Sequence, residues 1–378
     1  MAEAAGTDYS AEWIRARETL PTALRWLEGG FERGDHVGIQ MSVEVRDGEP
    51  LVASAGLAAP DVAMRDDTLG ILLCASKPML AAALVRAMEQ GLLALTDPLG
   101  RFLPELRETS LGGISLADCV SHSISGSRAT AAEPDLFAPL PLAVRLIAET
   151  YVLAGAGGTG SVQYLSWPFT LTGRVLENVF GRPLQDVMRQ EVFLPLGMTD
   201  SWLGMPATTA KQYEAEGRLA VLYDCTGAEP RPKVSPNPEW AIPSAGVRAP
   251  STDIAKFYRE LLAAREGRSN DWISQSGAWA MTARHRVGVP EAGSGAMIDF
   301  GLGVELESRH YDKFWMSYGP HCAISTFGHK GESCFLSFCD PRTKALVVVF
   351  VNGQIEGMAH GQRMFRLAEK IYEDLGLA

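Results

Sequence analysis

Positive charge is in short supply in this sequence: 34 lysines and arginines stand against 45 aspartates and glutamates, for a formal net charge of −11. That balance argues against a general nucleic-acid or anionic-membrane surface, so neither partner is expected. Long apolar runs are also missing; none approaches the roughly 18 residues of a membrane span. The first residues, Met1-Ala2-Glu3-Ala4-Ala5-Gly6, have neither a basic n-region nor an apolar h-region. No signal peptide is expected, and the expected compartment is the cytoplasm. The six cysteines (74, 119, 225, 322, 334 and 339) include no C-x-x-C pair, and the seven histidines form no ligand cluster with them. No metal is therefore expected, and in a reducing compartment the thiols should be free. There is no G-x-S-x-G elbow, which counts against an α/β-hydrolase triad. The single G-x-G-x-x-G match, Gly155-Ala156-Gly157-Gly158-Thr159-Gly160, lacks a βαβ unit before it and a helix after it. It reads as a loop that delivers Tyr164, and no cofactor is expected.

What is present is a soluble globular profile, 46% hydrophobic and 21% charged over 378 residues. Residues 11–31 have helical spacing, with Pro21 dividing or kinking them. Residues 37–45 alternate as a strand, and Asp47-Gly48 turns them into a second strand near 51–55. Helical patterns dominate from about 80 to 240, including 142–151, 169–179 and 183–192. Another helix, about 252–265, follows the capping candidate Ser251. Strand signals return at 302–306, 324–328, 334–339 and 345–351, and a helix carrying Met364, Leu367, Ile371 and Leu375 closes the chain. These patterns predict an α/β protein of the α+β type. One antiparallel sheet is built from both chain termini and flanked by terminal helices, with a mainly helical subdomain inserted. We expect a single domain over 1–378, its sheet part at about 1–75 and 245–378 and its helical part at about 76–244.

The stretch Ile71-Leu72-Leu73-Cys74-Ala75-Ser76-Lys77-Pro78-Met79-Leu80 organises the rest. Proline favours the first turn of a helix, and nearly every residue from Met79 to Met88 is apolar, so this helix should be buried on most sides. Cys74 and Lys77 are three apart and share one face of a helical turn, whereas Ser76 and Lys77 diverge. If a nucleophile and a base share this turn, they are Cys74 and Lys77. His122 could serve as a base, but it reads better as a loop residue satisfied by nearby backbone.

In order along the chain, Cys74-Ala75-Ser76-Lys77, Tyr164-Leu165-Ser166 and His329-Lys330-Gly331 resemble the three motifs of the serine β-lactamase and penicillin-binding-protein-like superfamily. The likeness is nearest to its class C type esterases and transacylases. It covers most of the chain from about Gly38, with cysteine where the first motif has its serine nucleophile. Flanking stretches such as Leu95-Thr96-Asp97-Pro98 and Ser244-Ala245-Gly246-Val247 support the register. The resemblance implies a β-lactamase/transpeptidase-like fold and a covalent acyl-enzyme on Cys74, which divides acyl transfer into two easier steps. It implies that Lys77 and Tyr164 manage the proton, and that Ser166 hydrogen-bonds Lys77 or the substrate. His329 and Gly331 would line the substrate site, and the backbone N–H groups of Cys74 and Glu332 would form the oxyanion hole.

A helix start and a nearby ammonium favour the thiolate. A thioester reacts readily with amines relative to water, so the expected function is ATP-independent acyl transfer. The acyl group would pass from an ester or thioester to an amine or alcohol, in natural-product biosynthesis. The partners are then a small-molecule acyl donor and a nucleophilic acceptor. The alternatives are a cytoplasmic carboxylesterase or amidase using water, and an inactive binding homologue. Because adjacent strand residues point to opposite faces, Lys330 is expected to face away if His329 faces Cys74, which favours neutral acyl donors.

Overall fold

In the computed structural model, Pro21 divides the first helical stretch into Ala11–Thr19 and Pro21–Arg33. The described residues are 9–46, 48–130, 138–153, 160–268, 271–313 and 316–378. Asp47 and residues 155–159 of the glycine run lie outside them.

Strands from both ends of the chain form one eight-stranded antiparallel sheet. Its order is Asp299–Phe300, Glu305–Leu306, Phe327–Gly331, Phe335–Asp340, Ala345–Val351, Gly38–Val45, Leu51–Ala59 and Val62–Ala63. The two halves join where Met41 pairs with Val349 and Val43 with Val347. Alternation assigns the faces. Ile39, Met41, Val43, Val347 and Val349 pack with Trp13, Leu24, Met364 and Leu367 of the terminal helices. Leu346, Val348 and Phe350 point the other way, into the larger core. On that second face Gln40 accepts the Ser251 N–H at 2.6 Å, and Arg259 pairs with Glu44. Ser251 is thus the first residue of the helix Ser251–Arg265 and not its cap, a place taken by Pro250.

The middle of the chain carries the helices Lys77–Glu89, Leu140–Thr150, Trp167–Phe180 and Leu184–Met188. The stretch expected as one helix at 183–192 ends as a π-helical turn over Arg189–Phe193. Short strands not expected there also occur, among them Ser127–Ala129 with Tyr151–Leu153 and Leu222–Asp224 with Arg231–Lys233. The helix Lys77–Glu89 runs through the larger core, where Met79, Ala81, Ala82, Ala83, Leu84 and Val85 have no exposed surface. Each fully buried Leu, Val or Met side chain contributes about 1.5–3 kcal/mol. The turn in front of this helix is therefore held on a rigid base.

Candidate active site

That turn is a 3-10 segment, Leu73–Ser76, feeding directly into Lys77–Glu89. Leu73 has φ 47°, in the left-handed region that non-glycine residues seldom occupy. Two bonds to one neighbouring residue hold it: Leu72 N–H donates to the Val247 carbonyl at 2.9 Å, and Val247 N–H donates to Ser76 Oγ at 3.0 Å. Ser76 is fully buried with its hydroxyl so engaged. Cys74, half-buried, is the most open of six free cysteines, the others being buried.

Lys77 has no exposed surface, and its ammonium donates to the Ser244 carbonyl at 3.2 Å. It also lies 5.0 Å from the Tyr164 ring centre and 5.3 Å from that of Phe169. Burial pushes the Lys77 pKa below the ordinary lysine range; the charge of Cys74 and a hydrogen bond to it oppose that shift without cancelling it. Burial, and behind it the charge of Cys74, hold the Tyr164 phenol well above its ordinary range. Both side chains thus sit against the Cys74 sulfur, one as an easily deprotonated amine and the other as a persistent hydroxyl donor. Ser166, expected to hydrogen-bond Lys77 or the substrate, immediately precedes the helix Trp167–Phe180, while the Lys77 amine bonds the Ser244 carbonyl. No sequence signal marked the Ser244 carbonyl as that partner.

The strand Phe327–Gly331 brings the third motif alongside. Gly331 is required there by close approach, since a Cβ would lie 2.2 Å from the Leu72 carbonyl oxygen. His329 is buried, with Nδ1–H donating to the Lys330 carbonyl at 2.7 Å. Burial, and then Lys77, push its pKa down to about 4, so it is neutral at physiological pH. Cys74, Tyr164, His329, Gly331 and Glu332 line one cavity of about 330 Å³, together with Glu305, Lys330 and His360. A second cavity of about 570 Å³, walled by Leu73, Leu222, Val234, Pro236 and Trp240, shares Glu332 with the first.

Lys330 corrects an expectation. It lines the Cys74 cavity, because its long side chain turns to the Glu305 carboxylate on the neighbouring strand at 2.8 Å. Its charge is therefore balanced where it stands. Glu305 and His360 were not singled out from sequence, since neither belongs to a motif. Elsewhere on the surface the His321 ring nitrogen and the carboxylates of Glu369 and Glu373 come within 4.8 Å of one another. This group shares no residue with the Cys74 cavity, and Arg366 already pairs with Glu369.

The family model described as Beta-lactamase matches residues 25–369. The chain belongs to the Beta-lactamase family. Among curated relatives, Protein Rv1367c of Mycobacterium tuberculosis is 25% identical over 228 residues, 53% of this chain and 55% of that protein. Esterase EstB of Burkholderia gladioli is 29% identical over 185 residues, 42% of this chain and 45% of its own length. The chain thus spans about half the length of the curated relatives it matches. Among solved structures, EstCE1, a hydrolase with promiscuous acyltransferase activity, superposes with a TM-score of 0.76 at 22% identity, covering 95% of this chain and 100% of that one. At that identity the likeness is one of fold. For a Beta-lactamase-family chain, the arrangement around Cys74 has the parts acyl transfer needs: a reachable sulfur, a buried amine, a hydroxyl donor and a cavity.

Proposed function

We propose that this chain is an acyltransferase working through a thioester on Cys74. The observation that carries the reading is the convergence of buried Lys77 and half-buried Tyr164 on a sulfur open to a cavity. In the first half-reaction the Cys74 sulfur attacks the donor carbonyl carbon. The Cys74 thiol proton passes to the Tyr164–Lys77 pair, the C–S bond forms, the donor's bond to its alkoxide or thiolate breaks, and the leaving group takes that proton from the pair. The backbone N–H groups of Cys74 and Glu332 hold the oxyanion. In the second half-reaction an amine or alcohol attacks the thioester, the C–S bond breaks, and the acceptor's proton returns through the same pair to sulfur. Ser166, His329 and Gly331 contact the substrate.

The cavity sharing Glu332, with Leu73, Leu222, Val234, Pro236 and Trp240 as its apolar walls and Lys233, Asn237 and Gln354 among its polar ones, offers room for an acyl group. EstCE1, by its description, combines hydrolysis with acyl transfer, which supports this chemistry on this fold. A thioester favours amines over water, so transfer is the reading chosen over hydrolysis as in Esterase EstB. Natural-product acylation in a reducing cytoplasm suits a mechanism that needs a free thiol. A division into a sheet part at about 1–75 and 245–378 and a helical part at about 76–244 would put the Cys74 turn where the two parts meet.

Intact-protein mass after mixing with an activated acyl ester, with and without an amine, tests the reading. The expected result is a +acyl adduct on Cys74 that amine discharges faster than water. No adduct would leave a binding homologue, and equal discharge by water would leave an esterase.

A further inference from the structure

Tyr164 belongs to no helix or strand, so its aim at Cys74 must be supplied by neighbours. One is Glu291, whose carboxylate accepts the Tyr164 N–H at 3.1 Å. The other is His122. Its ring stacks on the Tyr164 ring with centres 4.2 Å apart and planes 21° apart. Phe169 and Phe300 close the other sides, at 5.1 and 4.9 Å. His122 Nδ1 accepts the N–H of Leu165, the residue after Tyr164, at 3.2 Å. That is the ring's one hydrogen bond among the described residues, since Nε2 has no partner. His122 has φ 53° and is 1% exposed, a backbone conformation uncommon for its type in a site with no room to relax.

We propose that His122 is a positioning residue for Tyr164, gripping it by ring stacking and by the Leu165 amide together. The proposal rests on the Cys74–Lys77–Tyr164 reading above. A neutral imidazole is required for the hold on the Leu165 amide. Protonation of Nδ1 would break the Leu165 bond and set a cation facing Lys77, His329 and Arg286. Burial, then Lys77, His329 and Arg286, keep the His122 pKa well below 6.5, which agrees with that requirement.

The test uses iodoacetamide labelling of Cys74, located by mass spectrometry, which needs no substrate and no turnover. Tyr164→Phe should slow labelling at neutral pH by about tenfold, the worth of one hydrogen bond to a charged group. His122→Ala should reproduce that loss, and the double variant should be no slower than either single one. His122→Asn, whose side chain tolerates a left-handed backbone and can offer Oδ1 to the Leu165 N–H but cannot stack, should fall between the unmodified protein and His122→Ala, and guards against misfolding. His122→Phe, which keeps the stack and loses the acceptor, should fall between. With an ester donor the same variants should lower kcat while KM stays within about twofold, as for a group acting on the reacting centre. Unchanged labelling in His122→Ala and His122→Asn, or fully additive losses in the double variant, would overturn the proposal. A wild-type protein that labels normally but forms no acyl adduct would refute acyl transfer and leave the labelling comparison standing.

Discussion

Lys330 and Glu305 meet between neighbouring strands, Nζ to Oε1 at 2.8 Å, on the wall of the cavity that exposes Cys74. Burial alone would raise the Glu305 pKa, but Lys330, then His329 and the Ser317 hydroxyl, outweigh it and hold the carboxyl below its usual range. The pair is therefore ionised and internally balanced. A donor carboxylate entering this cavity would have to compete with Glu305 for Lys330.

Neutral acyl donors should accordingly outperform carboxylate-bearing ones. The comparison is a simple ester against benzylpenicillin, by kcat/KM. Glu305→Gln frees the Lys330 charge and should improve the carboxylate donor relative to the ester by about tenfold, the scale of a charge-assisted hydrogen bond. Efficient benzylpenicillin turnover by the unmodified protein would contradict this account.

Lys77→Ala and Tyr164→Phe should each lower kcat by about 10²–10⁴-fold, the usual worth of positioned proton transfer, with KM changed little. The pH profile gives a second check. Lys77 must lose its proton to act as a base, and burial lowers its pKa, so kcat should rise with pH below the ordinary lysine value of about 10.4. The Tyr164 phenol is held well above 10, so no alkaline fall near pH 10 should come from it. A tyrosine variant that altered only KM would reduce Tyr164 to a contact.

The parts of this site legible in the sequence are those fixed by local spacing. Cys74 and Lys77 share a turn because three residues separate them, and the apolar run behind them foretold a buried helix. The alternating strands at both ends predicted the sheet, since period-two burial can be read along a single strand. Lys330 was misread because alternation describes where a Cβ points and not where a flexible four-carbon chain ends. Ser244, Glu305 and His122 reach the site through contacts between segments distant in sequence. His122 in particular looked like an ordinary loop histidine, because stacking on a ring 42 positions later leaves no periodic trace.

Cys74→Ala should abolish the acyl adduct without changing the fold, because the half-open thiol fills no core position. Cys74→Ser should retain slow hydrolysis, given the amine and hydroxyl already placed beside it. Mass spectrometry reads the first and an ester hydrolysis assay the second. A full adduct on the alanine variant would place the nucleophile elsewhere.

Stability should fall on acidification through the buried histidines. Burial from solvent, with Arg363 adding to it, depresses His36 and His360 to about 3, and burial with Lys77 depresses His329 to about 4. An unfolded histidine titrates near 6.5. Below that pH the unfolded chain binds protons that the folded one refuses, so the stabilisation present above pH 6.5 is lost as pH falls toward 3 or 4. The slope is at most about 1.4 kcal/mol per pH unit for each histidine. His360 offers the cleanest check, because its Nδ1 accepts a bond from buried Arg363 at 2.8 Å that a glutamine oxygen can replace. Carboxylates protonating in the same range add a slope of the same sign, so the comparison must be between variants. Urea midpoints at pH 7.5, 6, 5 and 4 should decline less steeply for His360→Gln than for the unmodified protein. Parallel declines would show that His360 takes up its proton as readily folded as unfolded.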